Sequence, residues 1–387
     1  MDSNDAWKMQ SSSLARRSFL LNGVVPPPDL LSPKIVDSWK RCQFLGVSNN
    51  QRPCLDPIST QEIRLRSERD HTLIAASAVE LRHLSDALLQ TGHVVLSVDD
   101  QGFIVAAGGD IAGSGPILRR ARAGVNVGEH NLGTTAPSVA FIEREPIAIQ
   151  RAEHFLSSMQ LFECVAAPVL LPNGDAIGTL CISTDTRPLL PGLMELLQNT
   201  MKRIERRLMQ SVRSAGLLRI HPHPDCLGSS LEGLIALGEA GQIVGLNSLA
   251  AQFLGVDQSA AIGAPIERLL HGSASAQNAR APLMLQSQTG LRLFARLEGK
   301  AVYPSPVVQR ESSVPPTTAE TASIVAESFT GQELKVLRHL EAGLSNKQIG
   351  VALFISQNTV KYHLKNIFSK LHVKSRLEAI AKARRLI

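Results

Sequence analysis

The sequence predicts a multidomain protein: two successive α+β regions built on antiparallel sheets, then an all-α module of four short helices at the C-terminal end. Three observations lead there. A chain of 387 residues has room for two to four domains. Strand-like runs joined by turn signals alternate with helical patterns through residues 71–298. Helix-capping signals and basic residues gather beyond residue 328.

Composition bounds the class. Apolar residues make up 44% of the chain and aromatic ones only 4%, so the cores should be aliphatic. No stretch approaches the roughly 18–20 apolar residues that a membrane helix needs. The acidic start, Met1-Asp-Ser-Asn-Asp5, has no apolar run behind it and does not read as a signal peptide, so a cytoplasmic protein is expected. Cys42, Cys54, Cys164, Cys181 and Cys226 are odd in number and form no C-x-x-C pair. They read as reduced thiols rather than as disulfides or a zinc site. No G-x-x-x-x-G-K-[ST] cradle for a nucleotide occurs, and no catalytic constellation emerges. The chain is therefore expected to have no enzymatic activity, no cofactor and no metal.

Residues 1–70 read as a helical lead-in. In 71–186, Val94–Val98, Asp99-Asp-Gln-Gly102 and Phe103–Val105 form one hairpin signature. Pro168–Leu171, Pro172-Asn-Gly-Asp175 and Ala176–Ile182 form another. Asp99-Asp100 sits in a turn, without the other parts of a phospho-receiver. The run Gly128…Leu132-Gly-Thr-Thr135…Ile147…Ala152-Glu-His-Phe155…Cys164-Val-Ala-Ala-Pro-Val169…Asn173-Gly174…Gly178 resembles the GAF sensor domain of acetoin-catabolism-type activators. Ser38-Trp-Lys-Arg-Cys42 resembles their helical lead-in. The chain departs from the relatives' G-T-N-x-x-G-T at Gly133-Thr-Thr-Ala-Pro-Ser-Val139. Those activators normally continue into an ATPase, whereas this chain has no P-loop. His154 reads as a structural histidine or a pocket residue, and Cys164 as a buried small hydrophobe or a redox sensor.

Residues 187–216 predict an amphipathic connecting helix. Leu190, Met194, Leu197, Met201, Ile204, Leu208, Ser211 and Ala215 follow heptad a/d spacing, with charges outside the seam. The seam suits either a parallel dimer or packing onto the helix's own domain, and the first is the expectation. Residues 217–300 resemble a PAS domain: Gly233–Leu237, the turn 238–241, Gln242–Val244, Asn247 and Ala250–Leu254 open it, and strands 283–286 and 291–297 complete it. The ligand-type cluster His221-Pro-His223-Pro-Asp225-Cys226 reads as the connector into this region, since alternating prolines do not preorganise a metal site. Residues 301–328, rich in Pro, Ser and Thr without an apolar period, read as a flexible linker.

Residues 329–387 hold the sharpest signal. From 330 onward, seven lysines and four arginines face three glutamates, a balance of +8 against the chain's +6. The rest of the protein is therefore slightly acidic, and a basic module on such a body is the footprint of a nucleic-acid binder. Thr330-Gly-Gln-Glu333, Ser345-Asn-Lys-Gln348 and Ser375-Arg-Leu-Glu378 fit the capping box. Four helices follow, near 331–342, 346–353, 357–371 and 376–386. On the third, Val360, Leu364, Ile367, Phe368 and Leu371 form an apolar stripe. Asn358, Tyr362, Lys365, Asn366 and Ser369 lie opposite, flanked by Lys361 and Lys370, a surface suited to a major groove. The motif Thr330…Glu333-Leu…Gly343-Leu-Ser-Asn-Lys-Gln-Ile349…Ile355-Ser356…Thr359-Val-Lys361…Lys370-Leu371…Ser375-Arg376 resembles the helix-turn-helix domain of LuxR-type regulators. The resemblance implies a dimer on inverted repeats, with Lys361, Tyr362 and Lys365 at base edges. It places Lys347, Gln357, Asn358, Thr359, Asn366 and Lys370 on the DNA backbone. Tyr362 stands where many relatives carry a small aliphatic residue.

The expectation is a ligand-responsive transcription regulator with these partners: double-stranded promoter DNA, RNA polymerase, an unidentified small effector and a second copy of itself, but no membrane. The alternatives are control by a protein partner in place of a small molecule, or a signalling enzyme.

Overall fold

The computed structural model describes residues 3–271 and 282–299, together with thirteen positions between Val336 and Val373. The chain divides into two units, 1–306 and 307–387.

The first unit begins with four helices: α1 (Ser3–Asn22), α2 (Pro33–Phe44), α3 (Thr60–Arg69) and α4 (His71–Ala87). Pro33 opens α2, where its missing N–H costs nothing. Ser59 caps α3 by accepting from the Glu62 amide. Then come β1 (Val94–Asp99), β2 (Ile104–Gly109), α5 (Glu129–Leu132), α6 (Ala136–Glu143), β3 (Ile147–Gln150), β4 (Glu163–Leu170) and β5 (Ala176–Thr184). The strands form one antiparallel sheet in the order β2-β1-β5-β4-β3. The β1–β2 turn is closed by Asp99, whose Oδ1 accepts from the amides of Gln101 and Phe103 at 2.9 and 2.7 Å. Gly102 supplies the positive φ of +83° that the turn requires.

Both faces of this sheet are covered, so its central strands are apolar almost throughout. Successive residues divide between two cores. Val94, Leu96, Cys164, Ala166 and Cys181 face a core closed by α2 and the crossing segments. Val95, Val165, Leu180 and Ile182 face one closed by α4 and a long helix, α7 (Leu193–Gln210).

That second core corrects one expectation. Leu197, Met201, Ile204 and Leu208, the heart of the heptad seam, are buried against the chain's own sheet and α4. That apolar stripe is thus covered within the chain. Leu190 and Ser211, at its margins, remain exposed.

A second antiparallel sheet follows: β6 (Gly216–His221), β7 (Gly233–Leu237), β8 (Ile243–Leu246), α8 (Ser248–Leu254), α9 (Gln258–Ala261), β9 (Leu270–His271), β10 (Leu283–Ser287) and β11 (Arg292–Gly299). Its order is β8-β7-β6-β11-β10-β9. Strand β6 ends at His221, the first residue of the segment that the sequence reads as a connector. It alternates inward Leu218 and Ile220 with outward Arg219 and His221, and joins the β7–β8 hairpin to the β9–β11 strands. The two sheets meet at definite places. The Leu246 amide donates to Pro172 O at 2.8 Å, and Gln258 Nε2 donates to the carbonyls of Leu171 and Leu246. Met209 at the end of α7 packs on Leu234 and Ala236.

In the second unit, Val336, Leu337, Leu340, Ile349, Val360, Leu364 and Ile367 pack into one cluster. The expected stripe on the third helix therefore faces the core at Val360, Leu364 and Ile367. Linker residues 301–328 and Leu371 lie outside the described residues.

Candidate functional site

The inner face of the first sheet does not fill its own interior. Between that face and the segment running from α5 to β4 lies a cavity of about 40 Å³. Its walls are mostly aliphatic and aromatic, among them Leu96, Ile104, Val125, Leu132, Met159 and Phe162. Thr135, His154, Cys164 and Ser183 bring polar atoms to it.

Most of those polar atoms are already engaged. Thr135, the cap of α6, donates its hydroxyl to Val127 O at 2.9 Å. Ser183 Oγ lies 3.2 Å from Cys181 Sγ. A hydrogen bond with Cys181 and complete burial hold the Cys164 thiol well above the ordinary thiol range, with His154 pulling the other way. Cys164 is thus a protonated wall residue, a poor nucleophile.

His154 is different. It is fully buried, and its ring stands edge-on to Phe162 with centroids 6.1 Å apart. Nδ1 lies 2.9 Å from Thr134 O, and Nε2 has no hydrogen-bond partner. A buried polar nitrogen without a partner is costly, of order 1–3 kcal/mol.

The segment bearing His154 is gripped from behind by the lead-in helices. Arg16 of α1, itself buried, donates to the carbonyls of His154 and Phe155 at 3.0 and 2.6 Å and to Ser157 Oγ. Trp39, fully buried, donates Nε1–H to Glu153 O at 2.8 Å and packs on Phe19. Ser38 donates to Glu129 Oε1 at 2.5 Å, and Arg41 holds both oxygens of Glu129 at 2.9 Å. The motif Ser38-Trp-Lys-Arg-Cys42 is therefore an integral wall of this domain. Arg16 carried no signal in the sequence, since an Arg16-Arg17 pair on a polar helix looks like solvent-facing charge.

Other sequence candidates fall elsewhere. His221 turns edge-on to Phe253, its Nδ1 accepts from the His223 amide, and its neighbours do not converge with it on a common point. Asp70, Asp99 and Asp100 do gather their oxygens within 4.8 Å. Arg66 and Arg69 lie among them, pairing with Asp99 at 3.2 and 3.0 Å, so the acidic cluster is an ion-pair network at the hairpin turn. The nine residues expected at DNA, Lys347, Gln357, Asn358, Thr359, Lys361, Tyr362, Lys365, Asn366 and Lys370, lie outside the described residues.

Comparison with known proteins matches both regions. Residues 72–208 match the GAF domain family, and residues 327–383 match the family described as bacterial regulatory proteins, luxR family. The GAF match runs through most of α7, in keeping with the packing of that helix on the sheet. The acetoin catabolism regulatory protein of Cupriavidus necator is 28% identical over 62% of this chain and 38% of its own length. The nitrate/nitrite response regulator protein homolog of Haemophilus influenzae is 53% identical over 14% of this chain and 26% of its own length. Among solved structures, the E. coli DhaR(N)–DhaL complex aligns with TM-score 0.43 and 17% identity, over 69% of this chain and 99% of that one. The chain thus spans well under half the length of the curated relatives it matches. It joins a GAF domain, in an α+β body, to a LuxR-family helix-turn-helix domain.

Proposed function

We propose that this chain is a transcription regulator whose GAF cavity takes up a small effector and whose residues 329–387 bind double-stranded promoter DNA. The observation that carries this reading is the joining, in one chain, of a luxR-family module to a GAF domain with a mostly apolar cavity beneath its sheet. Lys361, Tyr362 and Lys365 would read base edges. Lys347, Gln357, Asn358, Thr359, Asn366 and Lys370 would hold phosphates, which set register without reading sequence. The regulator would act as a homodimer on paired half-sites, in the cytoplasm, with RNA polymerase as its partner at the promoter and no catalytic step of its own. The effector would act by population shift, favouring the sensor conformation it binds better. The second sheet, with its PAS-like strand pattern, would pass that bias on through its contacts with the β4–β5 turn and α7.

One observation favours control by a protein partner as a second reading. The lead-in region exposes Leu14, Leu21, Val24, Val25, Phe44 and Leu45, with Phe44 at 92%. Scattered apolar residues are normal, but several on one region mark an interaction surface.

Footprinting of the full chain on its own upstream DNA, with and without small uncharged metabolites, tests the proposal. The expected result is protection of two half-sites whose occupancy responds to one metabolite. Protection that ignores every small molecule, yet changes on Phe44→Ser, favours the partner reading. No protection on any DNA overturns both.

A further inference from the structure

The first sheet has an edge that is left open where strand β2 ends it. We infer that two copies of this chain pair there about a two-fold axis, β2 against β2 and α4 against α4. The inference rests on the reading of the regulator as a homodimer and says where its two copies meet.

Strand β2, Ile104-Val-Ala-Ala-Gly-Gly109, holds no charge and no proline, the residues with which native edges refuse a neighbour. The Asp110 amide donates to His93 O at 2.8 Å, and in the same register Gly108 and Ala106 stand opposite Val95 and Ser97. The bonding side alternates along an antiparallel ladder. Ala106 and Gly108 therefore bond inward to β1, and Ala107 turns its N–H and C=O outward. The outward groups of Ile104 are taken by the Gly124 amide and Val125 O, both at 2.9 Å. Those of Ala107 have no partner among the described residues. The other edges are guarded. Strand β3 has four residues, set between Pro146 and Arg151. Strand β8 exchanges bonds with Gly263 and Ala264, and β9 has only two residues.

Beside the open edge, α4 leaves a groove of about 380 Å³. Ile74, Ala78, Leu81 and Ser85, spaced four and three along the helix, look across it to Ala106–Gly108. Gly108 lies against Leu81 and Ser85, so the middle of α4 stands over the open part of β2.

The charges on α4 fit a second copy of itself. Arg82 lines the groove and Asp86 stands one turn further on. Both are exposed, and neither pairs with another described residue. A two-fold axis beside the middle of α4 sets the second copy's helix antiparallel, so Arg82 of each copy meets Asp86 of the other. On the strands, Ala107 of one copy exchanges both backbone bonds with Ala107 of the other, and the two sheets run on as one. The α7 stripe is covered within the chain and leaves this role free.

The test is analytical ultracentrifugation of the full chain over a hundredfold dilution series. Ala107→Pro removes the outward N–H and spares the ladder to β1, a place on an edge strand that tolerates proline. The wild type should dimerise, and Ala107→Pro should raise the dimer Kd more than tenfold with circular dichroism unchanged. Arg82→Asp and Asp86→Arg should each weaken the dimer roughly tenfold, since each sets like charges together twice. The double variant should recover most of the loss, its pairs restored with the signs exchanged. Hydrogen exchange at the Ala107 amide should be slow in the dimer and fast after dilution. A dimer that tolerates all three single changes overturns the inference and leaves the homodimer reading, with its interface elsewhere. A wild type that stays monomeric throughout overturns both. If Ala107→Pro does not fold, the exposed Arg82 and Asp86 set decides.

Discussion

Ser248, the first residue of α8, donates both its amide (2.9 Å) and its hydroxyl (2.6 Å) to the carboxylate of Glu205, which α7 carries from the GAF domain to the second sheet. Nearby, Arg206 of α7 pairs with Glu232 at 3.2 Å and Glu232 also pairs with Arg219 of β6. The C-terminal end of the long helix is thus bonded twice to the second sheet's half of the body.

The Glu205 pair carries a pH signature. Burial raises its carboxyl above the ordinary range, and the two bonds from Ser248 offset this only in part. The folded state then binds the proton more tightly than the unfolded state. Stability from this group is fully present below about pH 4.5 and is lost as pH rises through the folded pKa. Urea unfolding of wild type and Glu205→Gln across pH 4–8 should show the wild type losing stability relative to the variant as pH rises. A relative gain would contradict the account of this contact.

The α7 stripe supports the GAF core. Ile204→Ala should destabilise the folded chain by about 2–5 kcal/mol, as large-to-small core changes do. The loss should be independent of protein concentration, read by thermal melts over a hundredfold dilution series. An unchanged melting temperature with a shift toward monomer would return the stripe to a dimer seam.

The lead-in helices should matter to the GAF domain as much as its own strands. Arg16→Ala leaves two buried carbonyls without donors, at about 1–3 kcal/mol. Hydrogen exchange should rise at residues 153–157, while β1 and β5 stay protected. Uniform exchange across the sheet, or none, would show that the clamp does not act locally.

These residues also show what the sequence makes legible. Both hairpin turns could be read because Asp99, Gly102, Asn173 and Gly174 have side chains or φ values that turns demand. The stripe Val360, Leu364 and Ile367 could be read as core because a helix has one period and one buried face. The partner of the α7 stripe could not, since a sheet and a second helix ask for the same spacing. Strand β6 did carry a period-two signal at Leu218 and Ile220, obscured by the prolines that follow it. His154 was visible as a candidate, but its bond to Thr134 O, twenty residues away, is recorded by no local pattern.

On the DNA side, Lys365→Ala and Tyr362→Ala should each remove about 1–3 kcal/mol of preference for a specific site over random DNA. Competition binding on both DNAs measures it. Equal weakening on both would assign these residues to phosphate.

Recognition of DNA by sequence can be measured by selecting with the full chain from a random duplex library. The expected result is enrichment of a short motif in inverted pairs, bound with an affinity that falls steeply with salt, and loss of that enrichment with Lys365→Ala. A library that leaves selection with no motif, or binding indifferent to salt and to Lys365, would contradict it.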